Sequence, residues 1–319
     1  MSWGSSRSFR KFQSDKNFTP SDVGGERVGA FRLLQFSKKG IGILFSLLLV
    51  VNPLTSPLEN RIQVFKKSLF TGETLAYEVR WEPPPWMFFI PAIMAGDITF
   101  HSDEHVVHGA MPTQRFTATA VTSGFFPSLT GISVNDSFES VVDIEKFCSL
   151  QMTKKLREGK RQRDIFLTFD SRSRKSHYEA FDVSKTPKIQ LKNEELNDVP
   201  ECVQDILSAI YFVRLQELKP ELQLPITIGD DGRIKEIQIK VLKAESVDIL
   251  GRKNAALKLE ANSVFGGLFK EKGTFSVWVS DDAYKVPLKF EAKIKLGKVS
   301  GSLKQVKHEI DLGSTSKAP

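Results

Sequence analysis

At 319 residues and 35.9 kDa, the chain is long enough to bury the core of one large domain or two ordinary ones without disulfide staples. Its 40% hydrophobic and 26% charged residues, with 21 Gly and 15 Pro, exclude a collagen-like, low-complexity or polytopic membrane chain. The formal charge of +7 is not a nucleic-acid footprint: residues 1–39 carry eight Lys/Arg against three acids, whereas the rest is nearly balanced, with 37 basic and 35 acidic residues.

A basic polar N-terminal tail, 1–39, ends in Lys38-Lys39 and runs into the twelve-residue apolar stretch 40–51. As a helix this stretch would span about 18 Å, short of a bilayer core of about 30 Å. Basic residues before a short apolar run predict an export signal or an N-terminal anchor over 40–56. The segment Asn52–Pro57 offers no small-x-small cleavage site, and Pro57 would block a cut after Ser56, so retention as an inner-membrane anchor stands beside cleavage. A linker over 57–69, a β-rich body over 70–308 and a flexible C-terminal tail over 309–319 complete the expected organisation. The expected address is the periplasm or cell envelope.

The body opens with Leu75-Ala76-Tyr77-Glu78-Val79-Arg80-Trp81, large and apolar at every odd position, which predicts a strand with one face in a core. The same alternation returns over 288–296, and it predicts that Leu288, Phe290, Ile294 and Leu296 face the same interior as Leu75, Tyr77, Val79 and Trp81. Between them, strand-like runs recur over 98–100, 115–121, 140–144, 148–156, 164–169, 176–181, 224–228, 234–242, 246–250, 255–261 and 274–279. Turn chemistry at 229–232, 250–253 and 295–298 makes hairpins of several. One segment is helical in spacing, Val203–Leu218, and stops before Pro220. The fold class expected is mainly β: an antiparallel curved sheet or open half-barrel with one principal helix.

Residues 82–94 hold five consecutive large apolar side chains, Trp86 to Ile90, between prolines. That is more than one strand face can bury, so some need another apolar surface. The cluster His101, His105 and His108 falls where a hairpin tip is expected and predicts a solvated loop, since metal ligation would need a shared face. The basic stretch 154–163 has two readings, a solvated hairpin around Gly159 or a contact with anionic lipid head groups. Asp281 and Asp282 are adjacent on a strand end and point apart, which suits a polar turn and not a pair of catalytic acids. Asp205, Ser208 and Arg214 on the helix are candidates for polar ligand contact. Helix-start chemistry at Asp205 and local pairing of Arg214 are the alternative.

Cys148 and Cys202 suit an exported protein with at most one disulfide, and their spacing leaves a bridge and two separate thiols equally open. The stretches Phe70–Trp81, Asp205–Arg214 and Val277–Asp282 together resemble, in order and approximate spacing, a bacterial exported family known as domain of unknown function 3108. The resemblance covers about residues 65–305, with the Pro/Phe-rich stretch 83–91 as an insertion. It implies an envelope address and a strand-rich layout similar to the half-barrels of periplasmic lipoprotein carriers, and it brings no activity with it.

No nucleophile elbow, Walker loop, dinucleotide fingerprint or His-Glu-x-x-His is present. The expectation is therefore a non-enzymatic envelope module without cofactor, catalytic residue or metal site, binding a lipid, a lipidated protein, an envelope partner or the membrane surface and not nucleic acid. Trp81, Trp86, Phe88, Phe89 and Trp278 are the candidate ligand-binding residues, around an apolar hollow beneath the helix with Trp86–Ile90 at its mouth. A hydrolase or transferase acting on envelope polymers is the alternative.

Overall fold

The computed structural model describes residues 70–103, 106–108, 111–262, 274–294 and 297–307. The expected tail, export segment and linker lie outside the described residues, as do His105 and Leu296. None of the described helices is long and apolar enough to cross a membrane.

Among the described residues, fifteen strands form one antiparallel sheet built from two hairpin meanders. The first runs outward in chain order: β1 (Thr74–Glu82), β2 (Ile93–Ser102), β4 (Met111–Thr122), β5 (Asn135–Asp143), β6 (Ser149–Glu158), β7 (Arg161–Asp170), β8 (Lys175–Asp182) and β9 (Ile189–Leu196), with the short β3 (Val106–His108) on β4. The second runs inward: β10 (Gln223–Asp230), β11 (Arg233–Ile249), β12 (Arg252–Asn262), β13 (Thr274–Ser280), β14 (Pro287–Ile294) and β15 (Gly297–Lys307). They are joined where β1 pairs with β15, so the first and last strands lie at the middle of the sheet. The outer strands β9 and β10 do not pair with each other and the sheet stays open.

Alternation holds on β1, where Leu75, Tyr77, Val79 and Trp81 are all buried. Leu288 and Phe290 of β14 share a core cluster with Leu75 and Tyr77, and Ile294 packs on the cluster of Val79 and Trp81. The Phe290 ring lies across Gly301 of β15, where an added Cβ would meet ring carbons at 2.1 Å, so that pair requires glycine. Asp231-Gly232, with φ of 51° and 69°, and Leu250-Gly251, with φ of 57° and 69°, make the tight hairpin turns expected there.

Five elements differ from the sequence reading. Residues 246–249 are not a separate strand but continue β11 beyond an irregularity between Val241 and Lys243. The polar β9 and the Gly/Ser/Lys-rich β15 carry no apolar period and went unread. The principal helix is shorter than 203–218. It is α2 (Ile206–Arg214), and a second, five-residue helix, α1 (Phe126–Thr130), precedes it.

The connection from β9 to β10 ties the two meanders together. Cys148 and Cys202 are bridged, with Cα atoms 5.1 Å apart. Ser149 N–H donates to the Val203 carbonyl, while Gln204 pairs in parallel with Ile228 and so occupies the edge of β10. Helix α2 then packs Leu207 and Tyr211 against the interior of β4–β8 and Ala209 against that of β10–β13.

Candidate functional site

The two ends of β1 present opposite chemistries. Before its first residue stands Glu73, which meets the C-terminal end of α2. Glu73 and Arg214 are each 1% exposed and form a bidentate pair, Nη1–Oε1 2.6 Å and Nη2–Oε2 2.7 Å, while Arg214 Nε donates to the Tyr284 carbonyl. The guanidinium lies 4.5 Å from the centroid of Phe70. Burial is the largest single influence on Arg214 and opposes its charge, but hydrogen bonding to Glu73 and the Coulombic attraction of Glu73, Tyr211 and Tyr77 together exceed it and hold its pKa above the ordinary value. Arg214 therefore does not pair locally; its partner lies 141 residues away.

At the other end of the helix, Asp205 caps α2. Its Oδ1 accepts from the N–H groups of Leu207 and Ser208, its Oδ2 from the hydroxyls of Ser140 at 2.5 Å and Ser149 at 2.6 Å, and its own N–H donates to Ser208 Oγ. This reciprocal capping box consumes the polar groups that had been candidates for ligand contact. Beneath the helix, Tyr211 stacks on Phe116 at 3.8 Å with Phe70 edge-on, so aromatic side chains fill this part of the interior. The Tyr211 hydroxyl is buried without a hydrogen-bond partner among the described residues, and burial pushes its pKa up.

Beyond the last residue of β1 the picture inverts. Pro83-Pro84-Pro85 leads into a 3-10 turn over Pro85–Met87, closed by Met87 N–H on the Pro84 carbonyl and Ile90 N–H on that of Met87. Met87 and Ile90 fold inward onto a cluster of Val79, Trp81, Ala95 and Phe126. Trp86, Phe88 and Phe89 are thereby turned outward, 69%, 87% and 70% exposed, with Phe88 and Phe89 edge to face at 5.9 Å. Helix α1 sits on the same cluster through Phe126, whose ring meets Trp81 at 5.6 Å, and it leaves Phe125 67% exposed. Four large aromatic side chains thus stand in water above one small core. They lie at the opposite end of β1 from the Glu73–Arg214 pair, a strand length of about 30 Å away.

Of the candidate ligand-binding residues, Trp86, Phe88 and Phe89 come together, and Trp81 lies under them as support. Trp278 is elsewhere: it is buried on the face of β13 opposite Val277 and Val279, between the ammonium groups of Lys258 and Lys289, and its Nε1 donates to Glu245. Phe125 is not among the candidate site residues of the sequence, because a Phe-Phe-Pro step does not say which ring turns inward. His101 bonds Thr74 Oγ1 and Asp103, and no group of three or more metal-ligating side chains occurs among the described residues. Asp282 accepts from the N–H groups of Tyr284 and Lys285, the polar turn expected.

An open antiparallel sheet of two meanders with a helix packed inside is the frame for both ends. The model of the family described as "Protein of unknown function (DUF3108)" matches residues 76–304, and the chain belongs to that family. A comparison with curated proteins gives no match. Among solved structures, the chain is similar to a β-barrel-like protein of domain of unknown function DUF1849 from Brucella abortus, at 8% identity and a TM-score of 0.46, covering 75% of this chain and 98% of that one. It is also similar to a protein from Bacteroides fragilis described as a candidate exported protein with a YmcC-like fold, at 9% identity, TM-score 0.32, and 75% and 96% coverage. A third is described as a candidate lipoprotein from Parabacteroides distasonis, at 11% identity, TM-score 0.31, and 74% and 95% coverage.

Proposed function

We propose that this chain is a non-enzymatic module of the cell envelope that takes an apolar partner, a lipid or the acyl chain of a lipidated protein, on the aromatic end of its sheet. The observation that carries the reading is the outward set of Trp86, Phe88, Phe89 and Phe125. Solvent exposure of four large aromatic rings around one small core has no folding benefit, whereas an apolar partner would bury them at about 25 cal/mol per Å². The loop is also pre-shaped by prolines and two backbone hydrogen bonds, so little ordering would oppose binding. The Cys148–Cys202 bridge supports an oxidising compartment, as does the basic-then-apolar pattern ahead of residue 52.

A fluorescent fatty-acid probe tests the reading. It should bind saturably, compete with extracted lipid, and lose affinity when Trp86 and Phe89 are both changed to Ser. Absence of saturable binding, or binding unchanged in the double variant, removes the apolar-partner reading. For the address, a periplasmic reporter fused after Pro319 should be active, and activity of a cytoplasm-only reporter there would overturn it.

A further inference from the structure

The aromatic end is not chemically isolated. From α1 the chain passes through Gly131–Val134, and there it is stitched to the β6–β7 hairpin: Val134 bridges Glu158, and Gly159 N–H donates to the Ser133 carbonyl at 2.9 Å. The sequence's basic stretch is this hairpin. Lys155, Lys160 and Arg161 are exposed, and Arg157 and Arg163 are half-buried beside them. The next connection at the same end of the sheet, between β8 and β9, adds exposed Lys185 and Lys188. Against these seven cations stand Asp136, Glu158, Asp164 and Asp182. Arg157 is held by Asp164 at 2.7 Å and Arg161 reaches Glu158 at 3.4 Å, while Lys155, Lys160, Lys185 and Lys188 have no carboxylate within ion-pair distance among the described residues. Lys188 lies 4.0 Å over the Phe181 ring and Lys185 acts on Asp182 at longer range, so a body that is otherwise nearly neutral gathers positive charge in excess of its carboxylates at the end that carries its exposed aromatic rings. With strands about 4.8 Å apart, the β2 and β6–β7 positions are separated by only about 15–20 Å along one edge.

This juxtaposition defines a partner more narrowly than an apolar ligand does. A single acyl chain would account for the rings alone, whereas rings projecting from a rigid rim beside a basic hairpin match a surface that is apolar within and anionic at its boundary. Trp seats at the junction of head groups and acyl chains, Phe rings bury into the same boundary, and each Lys or Arg near an anionic leaflet contributes about 1 kcal/mol, about fivefold in partitioning. We infer that the end of the sheet bearing Trp86, Phe88, Phe89, Phe125 and the β6–β7 hairpin docks onto an anionic phospholipid bilayer, rings inserted at the interface and Lys155, Lys160 and Arg161 on the head groups. This deepens the apolar-partner reading and rests on it.

The test uses the full chain and a residue-specific readout, because the basic and apolar N-terminal stretch can itself attach the protein to vesicles. Trp86 emission is isolated by subtracting a Trp86→Phe variant, and vesicles of phosphatidylcholine with or without phosphatidylglycerol carry brominated acyl chains as quenchers. Trp86 emission should be quenched on anionic vesicles and weakly on zwitterionic ones. Docking should weaken about fivefold for each charge removed in Lys160→Ala and Arg161→Ala, and it should weaken further at high salt. Both substituted residues are exposed, so unchanged melting midpoints certify the fold. Vesicle-bound protein whose Trp86 emission escapes quenching overturns the inference, and so does equal quenching on both vesicle types. If the fatty-acid probe still binds in that case, the apolar-partner reading survives; if neither is seen, both fall.

Discussion

The two ends of β1 receive opposite treatment from the fold. At the Glu73 end every charged group that is buried has been answered: both carboxylate oxygens of Asp205, both of Glu73, and the Arg214 fork. At the Trp81 end the core is satisfied by Met87, Ile90 and Phe126, and four aromatic rings remain in water. The first end is explained by folding alone, since an unpaired buried charge would cost several kcal/mol. The second is not, and that asymmetry locates the surface available to a partner. It also states what must be true of mutants: stability resides with the helix end, recognition with the aromatic end.

The largest effect tests the first half. Arg214→Ala strands the Glu73 carboxylate in the interior and should cost about 3–5 kcal/mol in urea unfolding, with Glu73→Ala costing a similar amount. The double variant should cost less than the two single losses added together, because each single change leaves the other charge uncompensated. If Arg214→Ala unfolds no more readily than Trp86→Ser, the division between the two ends fails.

Next in size is the bridge that delivers the chain to α2. Replacing Cys148 and Cys202 by Ser together should lower stability by about 2–4 kcal/mol, since the closed loop spans 54 residues. Probe binding by the variant should be unchanged wherever it remains folded, because the bridge lies at the end of β6 away from the aromatic loop. A coupled loss of binding in the folded variant would join the two ends into one functional unit.

These contrasts also mark what the sequence disclosed. Period-two alternation on β1 and β14 was readable because each has one face in a core, and Asp231-Gly232 because its turn demands positive φ. The edge strand β9 was not, since Ile-Gln-Leu-Lys-Asn-Glu-Glu-Leu is exposed along nearly its whole length and has no buried face to impose a period. Strand β15 escaped for a different reason: it lies at the centre of the sheet, but Gly301 must be small to admit Phe290, so size complementarity replaces hydrophobicity. Asp205 and Ser208 were legible as helix-start chemistry from their spacing, whereas the Glu73–Arg214 pair links residues 141 apart and no local pattern announces it. The excess of apolar residues over 86–90 was visible as an imbalance. Which of them would turn outward was decided by the 3-10 turn and by Phe126, both tertiary facts.

The aromatic end should respond in the opposite sense to the helix end. Trp86→Ser with Phe89→Ser removes rings that contact mostly water, so the melting midpoint and urea midpoint should stay within about 0.5 kcal/mol of the parent while probe binding is lost. A stability loss comparable to that of Arg214→Ala would show that the rings are core residues and would break the comparison from its other side.

The smallest effect concerns Asp136, at the start of β5 beside the basic hairpin. Burial raises its pKa above the ordinary carboxylate value, with Glu158 acting in the same sense, against the lowering effects of the Arg157 N–H, which donates to Oδ1 at 2.7 Å, and of the Arg157 charge. A raised folded-state pKa means that the folded protein holds this proton more tightly than the unfolded chain. Its contribution therefore favours folding below the unfolded value of about 3.9 and is lost as pH rises through the folded value. At pH 7 the ionised side chain is a net cost, unlike Glu73, whose charge is neutralised by a bidentate partner. Asp136→Asn keeps an oxygen for the Arg157 N–H and removes the charge, so it should raise the urea midpoint slightly at pH 7, with the gain shrinking as pH is lowered towards about 4. A loss of stability at pH 7, or a gain that grows on acidification, would mean that the Arg157 charge outweighs burial, and that this end too holds its buried carboxylate by an ion pair.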